Sequence, residues 1–150
     1  MYSLEPFSNH KTVLLGSSMG GFITSRAFLM DDRFDGLINL NSSSSWVQCE
    51  RSFQNAGFKP SALFQEIERH DPVAYLDMLE ERPVLLLHGE NDQAIPTRTQ
   101  LDFYEKARTF YADTNRITLE LFPNINHTTS LSMVERIVDW LESTFIPQSQ

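Results

Sequence analysis

The sequence predicts an α/β fold, a parallel sheet of about four strands with helices on both faces. Two observations carry this. Short apolar runs recur four times, and between them lie longer stretches whose apolar residues repeat at helical spacing. Each apolar run also stops abruptly, at Gly16, at the polar stretch "NSSSS", at Gly89 and at Pro123.

The first strand is expected over residues 12–15, and Gly16 follows it directly. From Met19 to about Met30, Phe22, Ile23, Ala27 and Met30 recur at the spacing of one helical face. "GLINL", Gly36–Leu40, is the second strand. Pro60 opens a helical segment with Leu63, Phe64 and Ile67 on one face. In "DPVAYLDML", Asp71 reads as an N-cap and Pro72 as the first helical residue. Residues 83–88 form the strongest strand, bounded by Pro83 and Gly89. Thr97 is expected to cap a helix presenting Leu101, Tyr104 and Ala107. Ile117–Phe122 is the fourth strand. The last helix carries Val134, Ile137, Val138, Leu141 and Phe145, with Ser132 and Glu135 spaced as a capping box.

A chain of 150 residues has the length of one domain, and a domain of that size buries about 68–70% of its unfolded surface. Its 41% hydrophobic content is globular, and its formal charge of −8 argues against nucleic acid or an anionic membrane as partner. Cys49 is alone, so no internal disulfide forms. The N-terminus "MYSLEPFSNH" has neither the basic nor the apolar region of a signal peptide, and "VLLL" is too short to span a bilayer. These features lead to the expectation of a soluble, cytoplasmic protein without repeats or a second domain.

The chemistry is concentrated at "VLLGSSMGGF". Gly16-Ser17-Ser18-Met19-Gly20 fits the G-x-S-x-G pattern with Ser18 at its centre, whereas Ser17 would be flanked by Leu15 and Met19. A nucleophile on a sharp strand-to-helix turn requires small residues two before and two after it. The helix N-terminus behind Ser18 favours developing negative charge. The backbone N–H of Met19, just after the serine, is the expected oxyanion donor.

A serine hydroxyl needs a base within hydrogen-bond reach, and the base needs an acid to fix its tautomer. "LLLHGENDQAIP" delivers Asp92 just beyond the strongest strand, and "FPNINHTTS" delivers His127 in the loop after the last one. Both lie at strand C-termini, where open parallel sheets build their sites. Among the rivals, His88 falls within the strand end and reads as a structural hydrogen-bonder. His10 and His70 read as surface residues, Asp71 as a cap and Glu90 as a loop charge.

With "GSSMGG", "HGENDQAIP" and the late histidine in this order, the chain resembles an α/β-hydrolase of the prolyl-oligopeptidase-like and dienelactone-hydrolase-like esterase branch. The resemblance implies that Ser18 attacks an acyl carbonyl, His127 accepts and later donates the proton, and Asp92 stabilises the imidazolium. It implies an acyl-enzyme, a small ester or amide substrate, and no cofactor or metal. Where the family commonly has a small residue before the histidine, this chain has Asn124-Ile125-Asn126, and Asn also tolerates left-handed backbone angles.

The resemblance also implies an N-terminal truncation. The family's sheet has eight strands and the serine follows the fifth, whereas eleven residues precede the first strand here. The loop after the third strand, source of the second oxyanion N–H, then has no counterpart, and the first strand becomes an open edge that a homodimer could cover. The alternatives to an active enzyme are a hydrolase-like binding or dimerisation module and a remnant of a peptidase or esterase. Ser42–Ser45 read as a solvated loop, Trp46 and Phe53 as packing or a pocket wall, and Cys49 as inert. The stretch from Leu40 to Pro83 has room for one or two helices, not for a large lid.

Overall fold

The structure is a computed structural model that describes residues 10–146. Most of the N-terminal stretch discussed above, residues 1–9, lies outside the described residues. Four strands, β1 (Val13–Ser17), β2 (Gly36–Leu40), β3 (Val84–Gly89) and β4 (Ile117–Phe122), pair in parallel in that order. Val13 stands opposite Gly36, Leu37 opposite Val84, and Val84 opposite Ile117.

Alternation along the strands divides the core. Leu37, Val84, Leu86 and Ile117 face one side, where α1 (Met19–Met30) and α4 (Thr97–Ala107) bring Phe28, Leu29, Phe103 and Ala107. Ile38, Leu40, Leu85 and Leu87 face the other, against Met133, Ile137 and Trp140 of α5 (Leu131–Phe145). All six residues of β3 are buried, and each large aliphatic side chain so enclosed contributes about 1.5–3 kcal/mol. β1 lies at an edge of the sheet with Leu15 half exposed, as expected of an open strand.

Several local expectations are corrected. The face of α1 that meets the sheet is Gly21, Ser25, Phe28 and Leu29, while Ile23 and Met30 are 64% and 68% exposed. Small residues win that face because a side chain at Gly21 would strike Asn39 and Ser42. Residues 72–79 form a 3₁₀ segment kinked at Tyr75. Thr97 does not cap α4. Its Oγ1 donates to the Gly89 carbonyl at 2.9 Å, tying the helix start to the end of β3. The Ser132/Glu135 box does not form either, because the extended residue before α5 is Ser130, whose Oγ accepts from the Met133 N–H at 3.3 Å.

Between β2 and β3 lie α2 (Trp46–Asn55) and α3 (Phe64–His70). Helix α2 is not among the elements expected from the sequence, although Trp46, Cys49 and Phe53 stand at i, i+3 and i+7. Asp71 caps more than expected: its carboxylate accepts from the N–H groups of Val73, Trp46 and Val47 at 3.0–3.1 Å, serving the start of α2 as well.

Candidate active site

Every component of the site comes from the C-terminal ends of the strands. Ser18 sits between β1 and α1 with φ 53° and ψ −124°, a conformation that a residue with a Cβ adopts only under constraint. The constraint is visible. The Ser18 N–H donates to the Leu40 carbonyl at 2.9 Å and its own carbonyl accepts from Gly21 N–H at 3.0 Å. Gly16 must be bare, since a Cβ there would meet the backbone of Gly20 and the Thr24 hydroxyl. At Gly20, by contrast, an added Cβ meets nothing within 4 Å among the described residues outside its own helix turn, so the expected need for a small residue there is not seen.

His127 Nε2 lies 2.8 Å from Ser18 Oγ, and Nδ1 lies 2.8 Å from Asp92 Oδ2. Beside a carboxylate, Nδ1 carries the hydrogen, which leaves Nε2 as the acceptor facing the hydroxyl. The Asp92 side chain is fully enclosed, and its Oδ1 accepts from the N–H groups of Ala94 and Ile95 at 2.9 and 2.8 Å. The structure therefore brings together the three residues selected from the sequence. As the first residue of α1, Met19 has an N–H with no intrahelical partner.

Two asparagines, neither with a hydrogen-bonding role legible from the sequence, hold these loops in register. Asn41 Oδ1 accepts from Gly89 N–H at 3.0 Å while its Nδ2 donates to the Thr128 carbonyl at 2.7 Å. Asn126 Oδ1 accepts from the N–H groups of Gln93 and His127, at 3.0 and 2.7 Å, joining the acid's loop to the histidine's. A polar residue closing an apolar strand was the available signal for Asn41. The left-handed residue of the histidine loop is Asn124, with φ 60°, in the role allowed to asparagine above.

The serine stretch after β2 is not a solvated loop. Ser42–Ser45 are all buried. Asn39 Nδ2 donates to Ser25 Oγ at 2.7 Å and to Ser44 Oγ at 3.0 Å, and Ser44 N–H donates to Gln100 Oε1 at 3.1 Å. Ser42 lies against Gly21 of α1, and Ser44 Oγ lies 2.7 Å from Ser25 Oγ on the same helix.

Beside Met19 opens a pocket of about 290 Å³, lined by Phe22, Trp46, Cys49, Phe53 and Ile67 among others. Trp46 and Phe53 are thus pocket wall, and Phe22 and Trp46 meet at 6.5 Å between ring centroids. Burial pushes the Cys49 thiol up to about 12, in keeping with an inert cysteine. His88 is fully buried, and burial holds it below its ordinary 6.5, against the opposing pull of the Ile95 carbonyl and Asp92. Among the described residues no cluster of His, Cys, Asp and Glu could hold a metal, and no helix is long and apolar enough to cross a membrane.

The sequence profile of the prolyl oligopeptidase family matches residues 3–147. The chain belongs to the prolyl oligopeptidase family. This is a serine-hydrolase family, and YitV of Bacillus subtilis (strain 168), which carries the provisional name of an esterase, is 25% identical over 142 residues. That match takes in 87% of this chain and 56% of YitV, so the chain spans about half the length of this curated relative. The fold agrees with that of TT1662 from Thermus thermophilus, with TM-score 0.74 and 18% identity over 91% of this chain and 55% of that one. It also agrees with the acylaminoacyl peptidase of Pyrococcus horikoshii, with TM-score 0.73 and 18% identity over 93% of this chain and 25% of that one. Est1E from Butyrivibrio proteoclasticus aligns with TM-score 0.68 and 19% identity over 89% of this chain and 61% of that one. The parallel sheet expected from the sequence is thus the α/β-hydrolase sheet.

Proposed function

We propose that this protein is a serine hydrolase that cleaves small carboxylic esters through an acyl-enzyme, with Ser18, His127 and Asp92 as its catalytic triad. The observation that carries this reading is the continuous relay from Ser18 Oγ to His127 Nε2 and from His127 Nδ1 to Asp92 Oδ2, both links 2.8 Å, on a serine held at φ 53°. In this mechanism His127 takes the hydroxyl proton as Oγ bonds to the acyl carbon. The oxyanion of the tetrahedral intermediate accepts from Met19 N–H. His127 then protonates the departing alkoxide, and water repeats the sequence to release the acid. Asp92 stays ionised and stabilises the imidazolium.

The pocket beside Met19 supports an apolar acyl or leaving group. Its walls are aromatic and aliphatic, and the Glu50 carboxylate at its rim accepts from Ser61 N–H at 2.6 Å instead of standing free for a cationic substrate. Amide cleavage would use the same groups with a poorer leaving group.

The test is hydrolysis of a short-chain activated ester by the 150-residue protein beside Ser18→Ala and His127→Ala. We expect turnover to fall by about 10⁴-fold or more in either variant, and fluorophosphonate labelling of Ser18 to disappear in both. Equal rates in wild type and variants would overturn the proposal.

A further inference from the structure

A carboxylate enclosed on every side must have its lone pairs filled from within the protein, and two oxygens offer about four acceptor positions. For Asp92, Oδ1 accepts from the N–H groups of Ala94 and Ile95. Oδ2 faces His127 Nδ1 at 2.8 Å, which is the third. His88 lies against the fourth position: its Nε2 is 3.1 Å from the Ile95 carbonyl, to which it donates, and 3.2 Å from Oδ2. Both neighbours of Nε2 are acceptors, so Nε2 carries the hydrogen. The opposite ring nitrogen, Nδ1, is buried without a partner among the described residues.

This arrangement is unlike a histidine that merely fills space. The residues before it in β3 are Val84, Leu85, Leu86 and Leu87, and another leucine would pack there without stranding a polar nitrogen. The imidazole instead closes a loop of interactions: Nε2–H donates to the Ile95 carbonyl, the Ile95 N–H donates to Asp92 Oδ1, and the same imidazole edge bears on Oδ2. We infer that His88 is a positioning residue for the triad, orienting the Asp92 carboxylate toward His127 through the Ile95 carbonyl and its own Nε2–H edge. The inference rests on the reading of Asp92 and His127 as acid and base. Burial keeps the ring neutral, so it supplies a dipole to the carboxylate and no competing charge.

The experiment compares wild type with His88→Leu and His88→Gln in the 150-residue protein. A glutamine carries its amide nitrogen about as far from Cβ as imidazole carries Nε2, and so restores the donor. The first readout is the low-field proton resonance of His127 Nδ1–H, which requires no turnover. In folded His88→Leu protein we expect it to move upfield or vanish, and in His88→Gln to return toward its wild-type position. The second readout is ester hydrolysis, where kcat should fall on the order of 10²-fold in His88→Leu with KM little changed, and recover in His88→Gln. If the leucine variant does not melt cooperatively, His88→Asn takes its place, since its amide stops short of the Ile95 carbonyl. A resonance absent from the wild type, unmoved in the loss variant, or restored no better by Gln overturns the inference. Absence of hydrolysis with the resonance behaving as expected overturns the function proposed above and upholds the positioning role.

Discussion

Gly89 lies directly beneath the carbonyl of Ile125: a Cβ at position 89 would stand 2.5 Å from that oxygen and 2.7 Å from the carbonyl oxygen of Asn126. The last residue of β3 therefore determines how closely the loop carrying His127 approaches the loop carrying Asp92. Asn91 N–H seals the contact by donating to the Ile125 carbonyl at 3.0 Å.

Gly89→Ala is expected to destabilise the protein by about 1–3 kcal/mol, the usual effect of overpacking against backbone. It should also lower ester turnover on the order of 10²-fold, because the histidine loop must shift. Gly20→Ala is the matched control. Its Cβ meets nothing within 4 Å, so its urea midpoint should equal or exceed the wild-type value. A stable, fully active Gly89→Ala protein would contradict the packing argument.

Ser18 holds φ 53° with a full side chain, which stores about 1–3 kcal/mol of backbone strain. Ser18→Gly releases that strain against about 0.5–1 kcal/mol of added chain entropy. The variant should melt no lower than wild type while losing hydrolysis and labelling altogether. A clear drop in its melting temperature would show that Ser18 is not strained.

Asp71 supports two segments from one buried side chain, through Trp46, Val47 and Val73. Asp71→Ala leaves all three N–H groups without their acceptor, and chemical denaturation should show a loss of about 2–4 kcal/mol. Because Trp46 lines the pocket beside Met19, KM for apolar esters should rise in the same variant. A change below about 0.5 kcal/mol would be that of an ordinary surface residue.

His88 gives stability a dependence on pH. Burial of the ring, opposed by the Ile95 carbonyl and Asp92 and aided by His127, holds its folded pKa below the ordinary 6.5. The unfolded chain therefore takes up a proton near 6.5 that the folded protein accepts only at lower pH. This contribution is fully present well above pH 6.5 and is lost as pH falls toward the lower folded value, because the unfolded chain then binds a proton that the folded protein does not. Melting curves between pH 7.5 and 5.5 should decline more steeply for wild type than for His88→Gln. Parallel declines would assign the effect to other groups.

Much of this protein is determined locally and could be read from the chain. Apolar runs as short as "VLLL", bounded by Pro83 and Gly89, suit buried strands, and glycines at 16, 20 and 21 suit a strand-to-helix turn that packs closely on the sheet. Those signals sufficed for the parallel sheet, for the strand-to-helix turn that holds Ser18, and for the positions of Asp92 and His127 just past strand ends. What the tertiary structure decided was pairing between segments distant in sequence. The serines at 42–45 look soluble until they are seen to be buried, with Ser44 held by Asn39, Ser25 and Gln100 and Ser45 Oγ donating to Asp102. Asp71 reads as one cap until α2 arrives at its other side. Asn41 and Asn126 look unremarkable in sequence and His88 reads only as a structural hydrogen-bonder, because their partners lie on other loops or become partners only when a loop folds back. The physical reason is that the apolar pattern specifies which residues leave water, whereas a buried polar atom is defined by the partner it finds. That partner exists only once the chain has folded.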